Sequence, residues 1–264
     1  MPFDKDVSLD PELLGKVFEN LLASYNPETQ QTARKQTGSF YTPREIVQYM
    51  VDESLVAHLK RTVGNELEGE YRKLLDYADN ETSLTEQQKL AIMQSLYNCK
   101  ILDPACGSGA FPVGVLQQMV HILKQIDPDN SRWKNMLLQF AIDETSDAYL
   151  NSTAEERREA VADIERAFDE NVNYPDYARK LHLIENCIYG VDIQPIAIQI
   201  SKLRFFISLV IDQKRNDNPA DNFGIRPLPN LEAKFVAANS LLGLKRTEAS
   251  LFDSEEIKTE RTST

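Results

Sequence analysis

The sequence predicts an α/β fold, a short parallel sheet with helices between its strands, preceded by a helical region. Three stretches carry that expectation. Lys100 to Leu116 reads as strand, glycine loop and helix: Ile101 and Leu102 end an apolar run, Asp103 and Pro104 stop it, Gly107 and Gly109 open a tight loop, and an apolar helix runs from Ala110 to Lys124. Cys187 to Ile193 reads as a second buried strand ending at the carboxylate of Asp192, and Lys234 to Ala238 as a third, short one. In open α/β sheets a ligand binds beyond the carboxyl ends of the strands, where small residues let it approach the backbone and the helix start.

Ahead of the sheet, Asp10-Pro11 begins a helix in which Leu13, Leu14, Val17, Phe18, Leu21 and Leu22 recur at three and four positions as one buried stripe. Tyr25 to Gly38 is a polar loop. Gly38-Ser-Phe-Tyr-Thr-Pro-Arg-Glu45 opens a second helix, from Pro43 to about Leu59, with Thr42 at the N-cap, Pro43 at N1 and Glu45 at N3 as a capping box. Gly64 to Cys99 is mainly helical, with a second capping signal at Thr85 to Gln88.

After the glycine loop and its helix, Ile126 to Asn186 is an acidic helical segment with Trp133, Met136, Leu137, Phe140 and Tyr149 in its first half and a capped helix, Thr153 to Phe168, in its second. Its charge run Glu155 to Glu159 reads as a solvated face. Tyr174-Pro175 restarts helix toward Ile184. Pro195 at N1 begins a helix through Val210, with Ile196, Ile200, Leu203 and Ile207 as its inner stripe. Gln213 to Pro229 is a surface excursion, and the chain turns polar after Gly243. The expected division is a helical region over 1–98, a sheet-bearing core over 99–245 with a helical insertion at about 126–186, and a polar tail over 246–264.

The chain has 264 residues, enough for a substantial core. Its longest strongly apolar segment, Phe205 to Ile211, is too short to span a bilayer, and no signal-peptide pattern opens the sequence, so a cytoplasmic protein is expected. Cys99, Cys106 and Cys187 lack paired metal spacing, which argues against a disulfide framework or a zinc site. A net charge of −12 opposes long-range attraction to phosphates, so this is not a free-standing DNA binder.

The string Asp103-Pro-Ala-Cys-Gly-Ser-Gly-Ala-Phe111 resembles the S-adenosylmethionine loop of the amino-group DNA methyltransferases. Dinucleotide binding fits less well, because the third glycine of that fingerprint falls at Pro112 and pyrophosphate has no use for Asp103 beside it. With Phe-Tyr-Thr-Pro upstream, Gly190-Val-Asp-Ile193 and Asn239-Ser-Leu-Leu242 downstream, the order is similar to the Eco57I-type adenine-specific methylases of restriction-modification systems. The resemblance implies a Rossmann-like methyltransferase core with an incomplete sheet. It also implies a set of cofactor-binding residues: Tyr41, Thr42 and Pro43 over the methionine end, and Asp103 with Pro104, Ala105 and Cys106 near the methionine amino group. Gly107 and Gly109 give backbone access, with Phe111 beside them. Asp192 takes the ribose, and Ile193, Asn239 and Ser240 the adenine. Asp192 lies 89 residues after Asp103, against about 20 in the dinucleotide-binding pattern, which requires 126–186 to loop out. The plainer alternatives are an N-cap role for Asp192 and a turn role for Asn239.

Holding an exycyclic amine for methylation takes, in that family, an Asn or Asp followed by Pro-Pro and an aromatic residue, which stacks on a flipped-out base. No such string occurs here; Asn26-Pro-Glu28 and Asn218-Pro-Ala220 are the nearest. The expectation is therefore the cofactor-binding part of a longer enzyme that methylates adenine N6 in double-stranded DNA, with no catalytic or metal-binding residue in this chain and an open sheet edge. The alternatives are the modification subunit of a multi-subunit restriction system, acting with its other subunits, or a non-catalytic assembly module.

Overall fold

A computed structural model describes residues 25–26, 31–32, 42–78, 81–147, 154–227 and 229–242. The expected first helix, Tyr41 and the polar tail lie outside the described residues, as do Tyr149 and Thr153. Within the expected polar loop, β1 (Tyr25–Asn26) and β2 (Gln31–Thr32) pair antiparallel.

Helix α1 (Arg44–Thr62) is followed by a 3-10 turn at Asn65–Leu67, α2 (Glu68–Leu75) and α3 (Glu86–Tyr97). At α3 the Thr85 side chain accepts from Gln88 N–H while the Gln88 side chain accepts from Thr85 N–H, the reciprocal capping box that the sequence predicts. At α1 the predicted box does not form. Pro43 itself is the N-cap, in an extended conformation with ψ 146°, so Thr42 lies one residue too early and no side chain caps the helix. The Pro43 carbonyl instead accepts from Ile46 and Val47 N–H at 3.0 Å.

The sheet follows in the order β3 (Ile101–Asp103), β4 (Ile188–Asp192), β5 (Phe235–Ala237), all parallel, with Asp103 opposite Gly190 and Asp192 opposite Ala237. Between β3 and β4 run α4 (Ala110–Ile126), α5 (Ser131–Asp147), α6 (Ala154–Ala167) and α7 (Asp176–Asn186); α8 (Pro195–Val210) and a 3-10 segment at Pro219–Gly224 join β4 to β5. The segment expected to be an insertion thus carries three helices: α5 packs on α6, and α7 packs on α4, α8 and β4.

One sheet face is the core face. Ile188, Gly190 and Phe235 are buried there, and α8 covers them through Phe205, whose ring centroid lies 4.8 Å from that of Phe235. Side chains alternate along a strand, so Leu102 and Val236 point to the other face, where they are 61% and 41% exposed. Parallel sheets are covered on both faces as a rule, and here only one is covered among the described residues. No strand lies outside β3 among those residues either.

The inner stripe of α8 meets expectation in part: Ile200 is buried and Ile207 half-buried, but Ile196 and Leu203 are 50% and 42% exposed, and Ala197, Ser201, Arg204, Phe205, Ser208 and Leu209 are buried as well. Apolar residues surround this helix on every side, so hydrophobic periodicity does not fix its face. In the inward polar row, Ser201 and Arg204 donate to carbonyls outside the helix, while Ser208 donates to the Phe205 carbonyl of its own helix.

Candidate ligand site at the strand tips

The carboxyl ends of the three parallel strands meet around the glycine loop. Cys106 N–H donates to the Val191 carbonyl at 2.9 Å, which fastens the loop to β4. Gly107 N–H donates to Asp192 Oδ2 at 2.9 Å, and Ala105 N–H donates to Asp103 Oδ1 at 3.1 Å. The Ser240 hydroxyl donates to the Pro104 carbonyl at 2.9 Å, and Ala238 N–H to the Asp192 carbonyl at 2.9 Å, so the end of β5 is tied to both neighbours.

The chain turns here through two left-handed glycines, Gly107 at φ +53° and Gly109 at φ +83°, which any side chain would strain. They differ in surroundings. A Cβ on Gly109 would lie 2.7 Å from Ser201 Oγ, whereas one on Gly107 would meet no atom within 4 Å. Gly109 is therefore required by packing, and Gly107 borders open space at the tips of the sheet.

Asp103 and Asp192 stand at the tips of adjacent strands, and amides of the one loop bond both carboxylates. Burial, first, and the Asp192 charge raise the Asp103 pKa above the ordinary carboxylate value, against the bond from Ala105 N–H. Asp192 is no N-cap: Gln194 holds that position without a side-chain cap, and Asp192 Oδ1 accepts from Gln194 N–H at 2.8 Å as a local turn. Both its oxygens keep a second lone pair for a ligand hydroxyl. Asn239 Oδ1 accepts from Leu241 N–H at 3.0 Å, the turn role read for it in sequence, and its side chain is exposed.

The other predicted residues differ in exposure. Ile193 is 64% exposed beside the Asp192 tip, Pro104 and Ala105 are exposed, and Phe111 is half-buried against the core. Thr42 and Pro43 are exposed one turn before Val47, and Val47 and Val51 pack where a Cβ on Gly114 of α4 would sit, at 3.3 and 3.2 Å. The start of α1 thus lies against the first turns of the helix that the glycine loop opens. Cys106 is buried, and desolvation with the nearby Asp103 and Asp192 charges pushes its thiol up to about 12, which leaves it no thiolate for nucleophilic work.

Two residues at this site escaped the sequence reading. The Ser201 hydroxyl donates to the Gly107 carbonyl at 3.0 Å and Arg204 Nη1 donates to the Ser108 carbonyl at 3.0 Å, both from α8. The signal was present: Ser201, Arg204 and Ser208 stand at spacings of three and four in a largely apolar helix whose other polar residues are Gln199 and Lys202.

Among the described residues no cluster of three or more His, Cys, Asp or Glu side chains is arranged to hold a metal ion, and no helix is long and apolar enough to cross a membrane. A separate cavity of about 900 Å³ lies between α5, α6, α7 and the loop after α8, lined in part by Tyr97, His182, Glu185 and Arg226. It shares no residue with the strand tips.

Compared with known proteins, the chain is similar to a protein of Methanocaldococcus jannaschii that bears the provisional name type II restriction enzyme and methyltransferase. The two are 29% identical over 247 residues, which cover 90% of this chain but 17% of that protein. The chain thus spans about one sixth of that relative's length. No protein-family model matches it.

Proposed function

We propose that this chain is the S-adenosylmethionine-binding part of a site-specific DNA methyltransferase of a restriction-modification system, acting on the N6 amino group of adenine in double-stranded DNA. The observation that carries the proposal is the pairing of Asp103 and Asp192 at adjacent strand tips, with the glycine loop tied between them and open space above Gly107. The similarity to a restriction and methyltransferase protein over 90% of the chain supports the same reading.

The residues present fit such a cofactor. S-adenosylmethionine carries an ammonium, a sulfonium and a ribose diol, and it supplies an electrophilic methyl group when bound. Two neighbouring carboxylates favour a cationic ligand and repel a pyrophosphate. In the proposed arrangement Asp103 accepts from the methionine ammonium and Asp192 from the ribose hydroxyls. Exposed Ile193 lies under the adenine, and Asn239 and Ser240 border its polar edge. Thr42 and Pro43, with Tyr41, close the methionine end from α1. The groups that would hold the target amine are absent from this sequence, so the methyl acceptor is positioned by other parts of a longer protein.

Isothermal calorimetry on the wild type and on Asp192→Ala tests the assignment. The wild type is expected to bind S-adenosylmethionine weakly and the variant at least about tenfold more weakly, as loss of a charged hydrogen-bond partner implies. Equal affinities would remove Asp192 from the site. Incubating the chain with labelled cofactor and mixed DNA is expected to yield no methylated adenine.

A further inference from the structure

We infer that Ser201 and Arg204 are positioning residues that set cofactor affinity by clamping the glycine loop from beneath, without touching the ligand. The inference rests on the proposed cofactor site and names the part of α8 that prepares it.

Five carbonyls of the loop and its borders accept hydrogen bonds from within the protein. Pro104 C=O accepts from Ser240, Cys106 C=O from Gly109 N–H at 2.8 Å, Gly107 C=O from Ser201, Ser108 C=O from Arg204, and Gly109 C=O from Val113 N–H at 3.0 Å. Two of these five bonds come from one row of α8, a helix that begins three residues after Asp192. Ser201 and Arg204 are 0% and 4% exposed, so neither can reach a ligand at the surface of the tips.

The glycines make this clamp necessary. A chain free to populate both signs of φ has no reason to stay in the left-handed conformation at Gly107 and Gly109 unless something holds the adjoining peptide planes. Each carbonyl fixed inward aims its partner N–H edge the other way. Arg204 is the stronger hold, since a hydrogen bond from an ionised donor is worth roughly twice a neutral one. The contact is also close: Gly109 has room only because it lacks a Cβ, which would lie 2.7 Å from Ser201 Oγ. The same helix therefore ties the ribose-side strand to the methionine-side loop. Ordering the loop in advance lowers the entropic cost that binding would otherwise meet.

The test uses Ser201→Ala, Arg204→Lys and Arg204→Met in the 264-residue chain. Hydrogen-deuterium exchange is measured without cofactor and calorimetry with S-adenosylmethionine. In the cofactor-free variants, amides of residues 105–111 are expected to exchange faster while those of Glu86–Tyr97 keep wild-type protection. The dissociation constant is expected to rise about 3- to 10-fold for Ser201→Ala and about 10- to 100-fold for Arg204→Met, with binding stoichiometry unchanged and Arg204→Lys in between. A merely structural role would raise exchange throughout the chain and lower the stoichiometry, leaving the affinity of the folded fraction intact; that result overturns the inference. So do folded variants with wild-type loop exchange and wild-type affinity. If Arg204→Met fails to fold, Ser201→Ala and Arg204→Lys decide. If the wild type does not bind S-adenosylmethionine, the proposed cofactor is wrong, and exchange in the loop still decides whether the clamp exists.

Discussion

Gly190, in the middle of β4, has no room for a side chain, and Gly190→Ala measures how tightly the glycine loop is packed onto it. An added Cβ would lie 2.7 Å from both Cδ1 and Cε1 of Phe235 and 2.9 Å from Cys106 Sγ. Real Cβ contacts of that kind begin well beyond 3 Å, and none of these partners is the free end of a surface side chain, since Phe235 and Cys106 are 0% and 6% exposed. Phe235 cannot swing aside without leaving Phe205, and Cys106 cannot retreat without moving the loop that binds Asp192. Overpacking of this kind costs about 1–3 kcal/mol. For a chain of this size each kcal/mol lowers Tm by about 2–4 °C, so a fall of about 2–12 °C is expected in thermal unfolding followed by circular dichroism. The mechanism makes a second demand. Phe235→Ala on its own opens a cavity costing about 3–5 kcal/mol, but combined with Gly190→Ala it removes the ring that the new methyl strikes. The double variant should therefore lose clearly less than the sum of the two single losses. An unchanged Tm for Gly190→Ala, or strict additivity in the double variant, would refute the packing argument.

Gly107→Ala separates conformation from collision: with no atom near the new Cβ, only the left-handed φ is penalised, at about 1–2 kcal/mol, so Tm falls by a few degrees. Its methyl group enters the proposed cofactor space, and calorimetry should show S-adenosylmethionine binding lost well beyond what stability explains. For Asp103 the sign follows from its raised pKa: the folded chain holds the proton more tightly than the unfolded one, so this contribution to stability is complete below the ordinary carboxylate pKa and is lost as pH rises through the raised value. Asp103→Asn, which can still accept from Ala105 N–H, should raise Tm near neutral pH and match the wild type in acid; a Tm difference independent of pH would contradict the desolvation argument. Thr85→Ala removes a formed capping box and should cost about 0.5–2 kcal/mol in chemical denaturation, whereas Thr42→Ala, at a cap that does not form, should cost nothing measurable.

What the sequence made legible follows from which signals have a single structural solution. Strand, glycine loop and helix at Ile101–Ile126 could be read directly, because Asp-Pro ends a strand and two close glycines before an apolar run leave little else for the backbone to do. Pro195 marked the start of α8 to the residue, since a proline is tolerated at the first helical position and not further in. Thr42 and Thr85 show where the same reasoning divides. Both precede an acid or amide three residues on, but the proline after Thr42 stayed extended and moved the helix start by one. No local rule distinguishes a proline at the first helical position from one at the cap. The face of α8 was misread in part for a different reason: its apolar residues are too many to choose a side, and the choice belongs to loop carbonyls more than 90 residues away in sequence.

The electrostatics of the chain bear on how its work is divided. A net charge of −12 and a pair of carboxylates at the strand tips both disfavour phosphate, and both favour a ligand that brings positive charge. Burial, and after it the Asp192 charge, disfavours the ionised Asp103 carboxyl, and a cationic ligand at the tips would offset both. DNA gains nothing from this surface. A protein that uses both substrates must then bring the duplex to the tips with basic surface from elsewhere, at a distance where screening at physiological salt, over about 8 Å, keeps the acidic body from opposing it. On the side of the sheet away from α8, Leu102 and Val236 leave apolar area exposed, and burying it would favour further structure packed there.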